Sequence, residues 1–183
     1  SALTAALSIV MCIVLEKSHE LYAKYLKNPY VRILIGGVLV AGLTILFGPD
    51  TYAGAGGNII ERAIEGETES FAFLIKLVLT ALTLGAGFKG GEIVPTLFVG
   101  STFGCLLGPL LGLDPGFAAA IAMMANFAGN TNCPLAAMAL ACELFKGQAI
   151  LFFVPAAIIS YTLSGKYSLY SNQKLMKSKF SID

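Results

Sequence analysis

A break between two apolar segments is the feature that most constrains the fold. Residues 85–104 read GAGFKGGEIVPTLFVGSTFG, so one apolar run stops at a glycine cluster and a second run starts beside a proline. Proline is tolerated in the first turn of a helix because its missing N–H would have no partner there. Pro95, placed after Gly90 and Gly91, therefore predicts a break between two helices, the second of which begins near Glu92.

The start of this second helix is a candidate anion site. The first N–H groups of a helix lack intrahelical partners and carry partial positive charge, so they can hold an anion. Here they belong to Glu92, Ile93 and Val94. Within a membrane, irregular backbone is tolerated only where protein buries it or where it lines a water-filled cavity. Half-helix ends that point into such a cavity are a recurring way to build a transport site.

Composition places the chain in a bilayer. Of its 183 residues, 56% are hydrophobic and 13% are charged, whereas soluble domains carry about 25% charged residues. A soluble protein of this size would have too little polar surface to cover its core. The net charge of +1 argues against a nucleic-acid partner. Four cysteines without a CxxC pair and a single histidine, His19, predict no metal, no cofactor and no disulfide framework.

The apolar runs predict an all-α membrane protein with broken and re-entrant transmembrane helices in one membrane domain over residues 1–183. The predicted helical segments are 2–26, 31–48, 58–64, 71–88, 93–113, 117–127, 134–145 and 149–163. The segment 117–127 is shorter than the ~20 residues that a span needs. We therefore expect residues 128–132 to join two short helices.

Two further features bear on packing. Gly100, Gly104 and Gly108 recur at every fourth position and predict a small-residue face for close helix contact. Lys76 interrupts the apolar run 71–88. A lysine in such a run is a functional candidate, but its place near the segment start favours a side chain that snorkels to the membrane interface.

The two ends of the chain each support a prediction. The chain starts inside an apolar run without an initiating methionine, which predicts a piece of a longer protein. Residues 166–183 are polar and basic, with Lys174, Lys177 and Lys179. Because an excess of Lys and Arg beside a span favours the cytoplasmic side, we expect a C-terminal helix or tail that faces the cytoplasm.

The segment 90–95, GGEIVP, resembles the CLC family of chloride channels and anion/proton antiporters. That family carries a G-x-F-x-P motif, which opens a helix aimed at its central anion. Gly91 and Pro95 match this motif, and Ile93 replaces its aromatic residue. The resemblance extends to the glycine-rich restart 54–58, to Cys133-Pro134-Leu135 with Glu143 later in the helix, and to Gly165-Lys166 followed by Leu169-Tyr170-Ser171.

The resemblance implies the C-terminal half of a CLC-type inverted-repeat fold, and anion transport in a homodimer with one pore per subunit. The anion would be chloride or fluoride, with protons as a further partner, in a bilayer that we expect to be a bacterial plasma membrane. The preceding half would supply a serine loop and a gating glutamate loop, which this chain lacks. The implied anion-binding residues are Gly91, Glu92, Ile93, Val94 and Tyr170. Two extra residues precede Leu169, which leaves Tyr167 as an alternative to Tyr170.

Glu92 is the candidate for proton coupling. A glutamate beside this helix start resembles the fluoride/proton antiporter branch of the family, although Val94 stands where that branch often has threonine. A protonatable carboxylate there could carry the coupled proton, or donate a hydrogen bond to fluoride once neutral. The alternative is that Glu92 is a carboxylate stabilised by the free N–H groups, with no transport role.

Two other classes of function stay open. One is an intramembrane enzyme with Glu92, Glu143 or His19 as acid or base, and the other is a non-conducting structural subunit. General acid–base sites need partners within hydrogen-bond reach, and the sequence offers no nucleophile–base pair. We therefore predict that the protein is not an enzyme. The sequence does not decide whether the anion is chloride or fluoride, or whether the protein is a channel or an antiporter.

Overall fold

The residues that can be described form eight α-helices and one short 3-10 helix in a computed structural model. The structure describes residues 1–48, 52, 54–170 and 173, and these contain no strand. The 3-10 helix is Pro109–Leu111. The α-helices are α1 (Ala2–Tyr25), α2 (Pro29–Phe47), α3 (Gly57–Ile64), α4 (Ala72–Gly85), α5 (Ile93–Leu107), α6 (Pro115–Thr131), α7 (Pro134–Leu144) and α8 (Ile150–Leu163).

Side-chain caps fix two of the helix starts. The Asn28 side chain accepts a hydrogen bond from the Tyr30 N–H at 3.0 Å, and Pro29 opens α2. The Asp114 carboxylate accepts one from the Phe117 N–H at 2.8 Å, and a proline again opens the helix, α6. An oxygen at the N-cap satisfies a free N–H group, and proline fits the first turn. These local signals explain why α2 begins at Pro29 and α6 at Pro115.

The predicted break after the apolar run 71–88 is confirmed. Helix α4 ends at Gly85 in a Schellman arrangement, in which the Gly87 N–H donates to Leu84 O at 3.0 Å and the Phe88 N–H to Thr83 O at 3.3 Å. Gly87 has a φ of +95°, which suits a residue without a Cβ atom. Residues 88–91 are not helical, and α5 starts at Ile93. Pro95 therefore lies in the first turn of α5, as the sequence predicts.

Helix α6 is the centre of the bundle, and it is longer than the sequence suggests. It contacts α1, α3, α5, α7 and α8, and its residues from Ala118 to Thr131 are buried with the exception of Ile121. The predicted joint at residues 128–132 is therefore wrong, because only Asn132, with a φ of 56°, leaves the helix. Contacts with neighbouring helices keep the small, polar end of α6 helical, which local propensity does not register.

Helices α5 and α6 form the most extensive helix pair. A Cβ atom on Gly100 would lie 2.8 Å from the Met123 Cα atom, and one on Gly104 would lie 2.9 Å from the Ala119 Cα atom. Both are closer than side-chain carbons approach, so these positions accept only glycine at this separation. The small-residue face predicted from their spacing is confirmed, and it rigidly connects α5 to the central helix.

The snorkelling expected of Lys76 is wrong. Its side chain is only 4% exposed, and its Nζ atom donates to Gly54 O at 2.6 Å and to Tyr52 O at 3.3 Å. The ammonium also lies 5.1 Å from the centroid of the Phe98 ring. The glycine-rich loop before α3 thus folds back over α4 and supplies the acceptors that a buried ammonium needs.

The outer helices expose much apolar surface. By length and composition, α1 and α2 are able to cross a membrane, and large exposed apolar side chains occur on α2 and α8: Leu34, Val38, Ile45, Leu46, Leu151 and Phe152. Apolar surface of this extent marks contact with lipid or with other protein. Most of the tail predicted at residues 166–183 lies outside the described residues.

Candidate functional site

The start of α5 presents free amides. The N–H groups of Glu92, Ile93 and Val94 make no hydrogen bond to any residue that the structure describes. The Glu92 carbonyl is the first acceptor of the helix, and it receives the Thr96 N–H at 3.1 Å and the Thr96 hydroxyl at 2.8 Å. The break thus leaves a helix N-terminus with the donor set that anions favour.

The Glu92 carboxylate does not cap this helix. Glu92 occupies the N-cap position with φ −90° and ψ −20°, and its side chain accepts no capping hydrogen bond. A side chain that stabilises a helix start as an N-cap would accept from one of the N–H groups that follow. The partly buried carboxylate instead lines a cavity.

This cavity measures about 820 Å³ and opens beside the break. Its wall consists of one face of α1, the end of α4, Glu92 and the segment after α8. The lining residues are Cys12, Leu15, Glu16, His19, Glu20, Ala23, Leu84, Glu92, Lys166, Tyr167, Ser168, Leu169, Tyr170 and Gln173. A volume of this size is typical of ligand and ion-access sites. The structure therefore brings two predicted site residues, Glu92 and Tyr170, to one cavity.

Three ionisable residues of the wall lie outside the anion site predicted from the sequence. Glu16, His19 and Glu20 lie on the α1 face that borders the cavity, and of these the sequence analysis named only His19, as an acid or base of the enzyme alternative. Their spacing could have predicted that the three side chains lie together, because residues three and four apart share one helix face. Among the described lining residues, Glu16, Glu20 and Glu92 supply three carboxylates and Lys166 supplies one ammonium.

Both candidate tyrosines lie in the segment that leaves α8. Tyr167 and Tyr170 line the cavity and are 43% and 44% exposed, so their hydroxyls are accessible from it. The backbone of this segment is tied to the end of α6, since the Leu169 N–H donates to Asn130 O at 2.9 Å. The Asn132 amide donates to Tyr167 O at 3.1 Å. The predicted ambiguity between the two tyrosines therefore persists in the structure.

The remaining predicted residues do not line the cavity. Gly91 is exposed, Ile93 and Val94 are 43% and 38% exposed, and none of the three is among the lining residues. Glu143, named for the enzyme alternative, is exposed on α7 and also lies away from the cavity. Across the described ranges, no three His, Cys, Asp or Glu side chains are grouped to hold a metal ion.

Known proteins resemble this chain over most of its length. The "Chloride/fluoride channel protein" of Pseudomonas syringae pv. tomato is 37% identical over 155 residues, which cover 81% of this chain and 34% of that protein. The "H(+)/Cl(-) exchange transporter ClcA" of Vibrio cholerae is 25% identical and covers 96% of this chain and 43% of its own length.

A solved structure agrees with the architecture. The crystal structure of a CLC-type fluoride/proton antiporter superposes with a TM-score of 0.88 at 32% identity, over 92% of this chain and 43% of that one. The chain thus spans about two fifths of the proteins it resembles. The profile of the family described as "Voltage gated chloride channel" matches residues 1–165. Its members are integral membrane channels and transporters, and this chain belongs to that family.

Proposed function

We propose that this chain is the C-terminal half of the pore-forming subunit of an anion transporter, and that Glu92 carries the coupled proton. The observation that carries the proposal is the position of the Glu92 carboxylate. It stands at the start of α5 without capping it, and it shares a cavity with Tyr170. The free amides attract an anion, and a neutral carboxylic acid and a phenol add O–H donors around it.

The charges of the wall explain why a proton would move with the anion. Glu16, Glu20 and Glu92 face the cavity with Lys166. An ionised Glu92 repels an anion at the adjacent amides, whereas a protonated Glu92 attracts it. A nearby anion in turn favours the neutral form of the carboxyl group. Proton binding and anion binding at the α5 start therefore support each other.

We propose fluoride as the preferred anion, with chloride as the competitor. A relative is named for both ions and the solved structure for fluoride. A carboxylic acid O–H gives short, strong hydrogen bonds to a small anion. Val94 offers no hydroxyl, so the donors in this proposal are the free amides, Glu92 and one tyrosine.

The assembly follows from the same proposal. The preceding half of the polypeptide faces the exposed Ile93 and Val94 and completes the anion path. Two complete subunits form a homodimer with one pore each. The chain lies in a bacterial plasma membrane, and the basic segment 166–183 faces the cytoplasm. The exposed apolar surface of α2 and α8 supports contacts with lipid and with protein on the outer faces.

The test is Glu92→Gln in the full-length protein reconstituted in liposomes. Glutamine keeps the size of the side chain but cannot exchange a proton. We expect proton movement to fall to the background of protein-free liposomes, while the protein still purifies as a folded species. Fluoride and chloride electrodes report anion efflux, and a pH-sensitive dye reports proton movement.

The matched control is Glu61→Gln, which alters an exposed carboxylate of α3 away from the cavity and should leave both fluxes unchanged. Parental proton coupling in Glu92→Gln would remove Glu92 from the mechanism. Equal efflux of the two anions would reject fluoride preference. An absence of any anion flux from the parental protein would reject transport and favour a structural subunit or an enzyme.

A further inference from the structure

Helix α6 binds both the start of α5 and the segment that carries Tyr170, which are the two parts of the proposed anion site. The Asn126 Nδ2 atom of α6 donates to Thr96 O at 2.9 Å. The Thr96 hydroxyl in turn donates to Glu92 O at 2.8 Å. Asn126 is thus two hydrogen bonds away from the backbone of the proton-coupling candidate, and it restrains the first turn of α5.

One turn further along α6, two backbone carbonyls of this helix bind the segment after α8, which carries Tyr167 and Tyr170. Asn130 O accepts the Leu169 N–H at 2.9 Å, and Thr131 O accepts the Gln173 side-chain amide at 3.3 Å. Asn126 and Asn130 are one helical turn apart, which corresponds to about 6 Å along the helix axis. Helix α6 therefore sets the distance between the α5 start and Tyr170.

An asparagine at position 126 lowers the stability of the fold unless its side-chain amide has a role. It is fully buried, and its Oδ1 atom has no hydrogen-bond partner within the described part of the chain. A buried acceptor without a partner is destabilising, whereas leucine has the same branched side-chain skeleton and carries no polar atom. The contact that distinguishes asparagine from leucine here is the bond to Thr96 O.

We propose that Asn126 is a positioning residue that sets anion selectivity, because its bond to Thr96 fixes the α5 amides relative to the tyrosine hydroxyl. This inference rests on the proposed transport function. Fluoride and chloride differ in radius, so a displaced donor changes the energies of the two ions unequally. A residue that only stabilised the fold would change the amount of active protein, and it would leave the ratio of the two ions unchanged.

The test is Asn126→Leu in the full-length protein in liposomes, with the ratio of fluoride to chloride efflux as the readout. We expect this ratio to fall on the order of tenfold, because a binding site works only while its groups are held within about 0.5 Å of the productive geometry. Asn126→Ser, which is too short to reach Thr96 O, should change the ratio in the same direction.

Thr102→Val is the matched control. Thr102 is also fully buried, but it lies on α5 and its hydroxyl donates to Phe98 O of the same helix at 2.7 Å. Its loss should lower stability and leave the efflux ratio unchanged. Amide hydrogen exchange over residues 92–97 gives a readout that is independent of transport, and exchange there should be faster in both Asn126 variants and unchanged in Thr102→Val.

The outcomes separate the two proposals. If the parental protein moves no anion, the transport proposal fails, and the exchange experiment still decides whether Asn126 restrains α5. Folded Asn126 variants with the parental efflux ratio would overturn the positioning role. Loss of folded protein in both Asn126 variants, with Thr102→Val intact, would also overturn it, because Asn126 would then serve stability alone.

Discussion

Lys76 and Glu92 are ionisable residues of the two helices that the break separates, and their surroundings differ sharply. Lys76 is buried, and its ammonium is bound by two carbonyl oxygens and covered by an aromatic ring. Glu92 is partly buried, does not cap its helix and faces an open cavity. The chain therefore satisfies one charge internally and leaves the other available to ions.

The comparison shows why hydropathy alone misjudges such residues. Both interrupt apolar sequence, and both are candidates for function by that criterion. The difference lies in the partners that the fold supplies. A buried ammonium with carbonyl acceptors at 2.6 and 3.3 Å anchors a loop, whereas a carboxylate without a helix cap can exchange a proton with the cavity.

The largest effect on stability should come from Lys76→Met. Methionine keeps the aliphatic stem but removes the donor, which leaves Gly54 O and Tyr52 O without their partner. Part of this loss is offset because methionine is cheaper to bury than an ammonium. We expect a net destabilisation of about 2 kcal/mol, measured from the thermal unfolding midpoint of the full-length protein in detergent.

Glu92→Gln is the control for this prediction, since it changes the other charged residue without breaking a capping bond. Its free energy of unfolding should stay within ~0.5 kcal/mol of the parental value. Proton coupling should follow the opposite order, lost in Glu92→Gln and retained in folded Lys76→Met. Equal destabilisation by the two variants would contradict the contrast between the two sites.

The fold was largely predictable where local chemistry decides it. Pro95 in a first turn and the glycine spacing of α5 each act within a few residues, and the structure agrees with both. The end of α6 was mispredicted because its small, polar residues are buried by helices distant in sequence. Local propensity cannot register that burial.

The site was predictable in part for the same reason. Glu92 follows from the break itself, and the structure places it on the cavity with Tyr170. The partners of Lys76 lie more than twenty positions earlier in the chain, and the bond between Asn126 and Thr96 joins residues 30 positions apart. Such contacts have no pattern in a single sequence, because they depend on how the helices pack.

A smaller effect should come from Phe98→Leu. The Phe98 ring is fully buried beside the Lys76 ammonium and lies 6.4 Å from the Tyr52 ring. Leucine fills most of the space but offers no π face to the cation. We expect a loss of about 1–2 kcal/mol in unfolding free energy, measured under the same conditions as Lys76→Met.

Phe153→Leu is the matched control, because Phe153 is 2% exposed and stacks on Phe145 without a cation among its contacts. The excess loss in Phe98→Leu over this control isolates the cation–π contribution. The double variant with Lys76→Met should be less destabilised than the sum of the two single variants. Additive losses would show that the ring does not help to hold the ammonium.

The smallest effect should come from Tyr52→Phe. This variant removes the hydroxyl of Tyr52 but keeps its backbone carbonyl, which binds Lys76. The Tyr52 hydroxyl donates to a Glu69 carboxylate oxygen at 2.7 Å, and burial together with this bond raises the pKa of the phenol, so it remains a donor at neutral pH. Phenylalanine removes this bond but keeps the carbonyl that Lys76 binds. We therefore expect a loss of about 1 kcal/mol by thermal unfolding, and Glu69→Gln should give a similar or smaller value. A loss as large as that of Lys76→Met would mean that the phenol, and not the backbone, holds the loop over the ammonium.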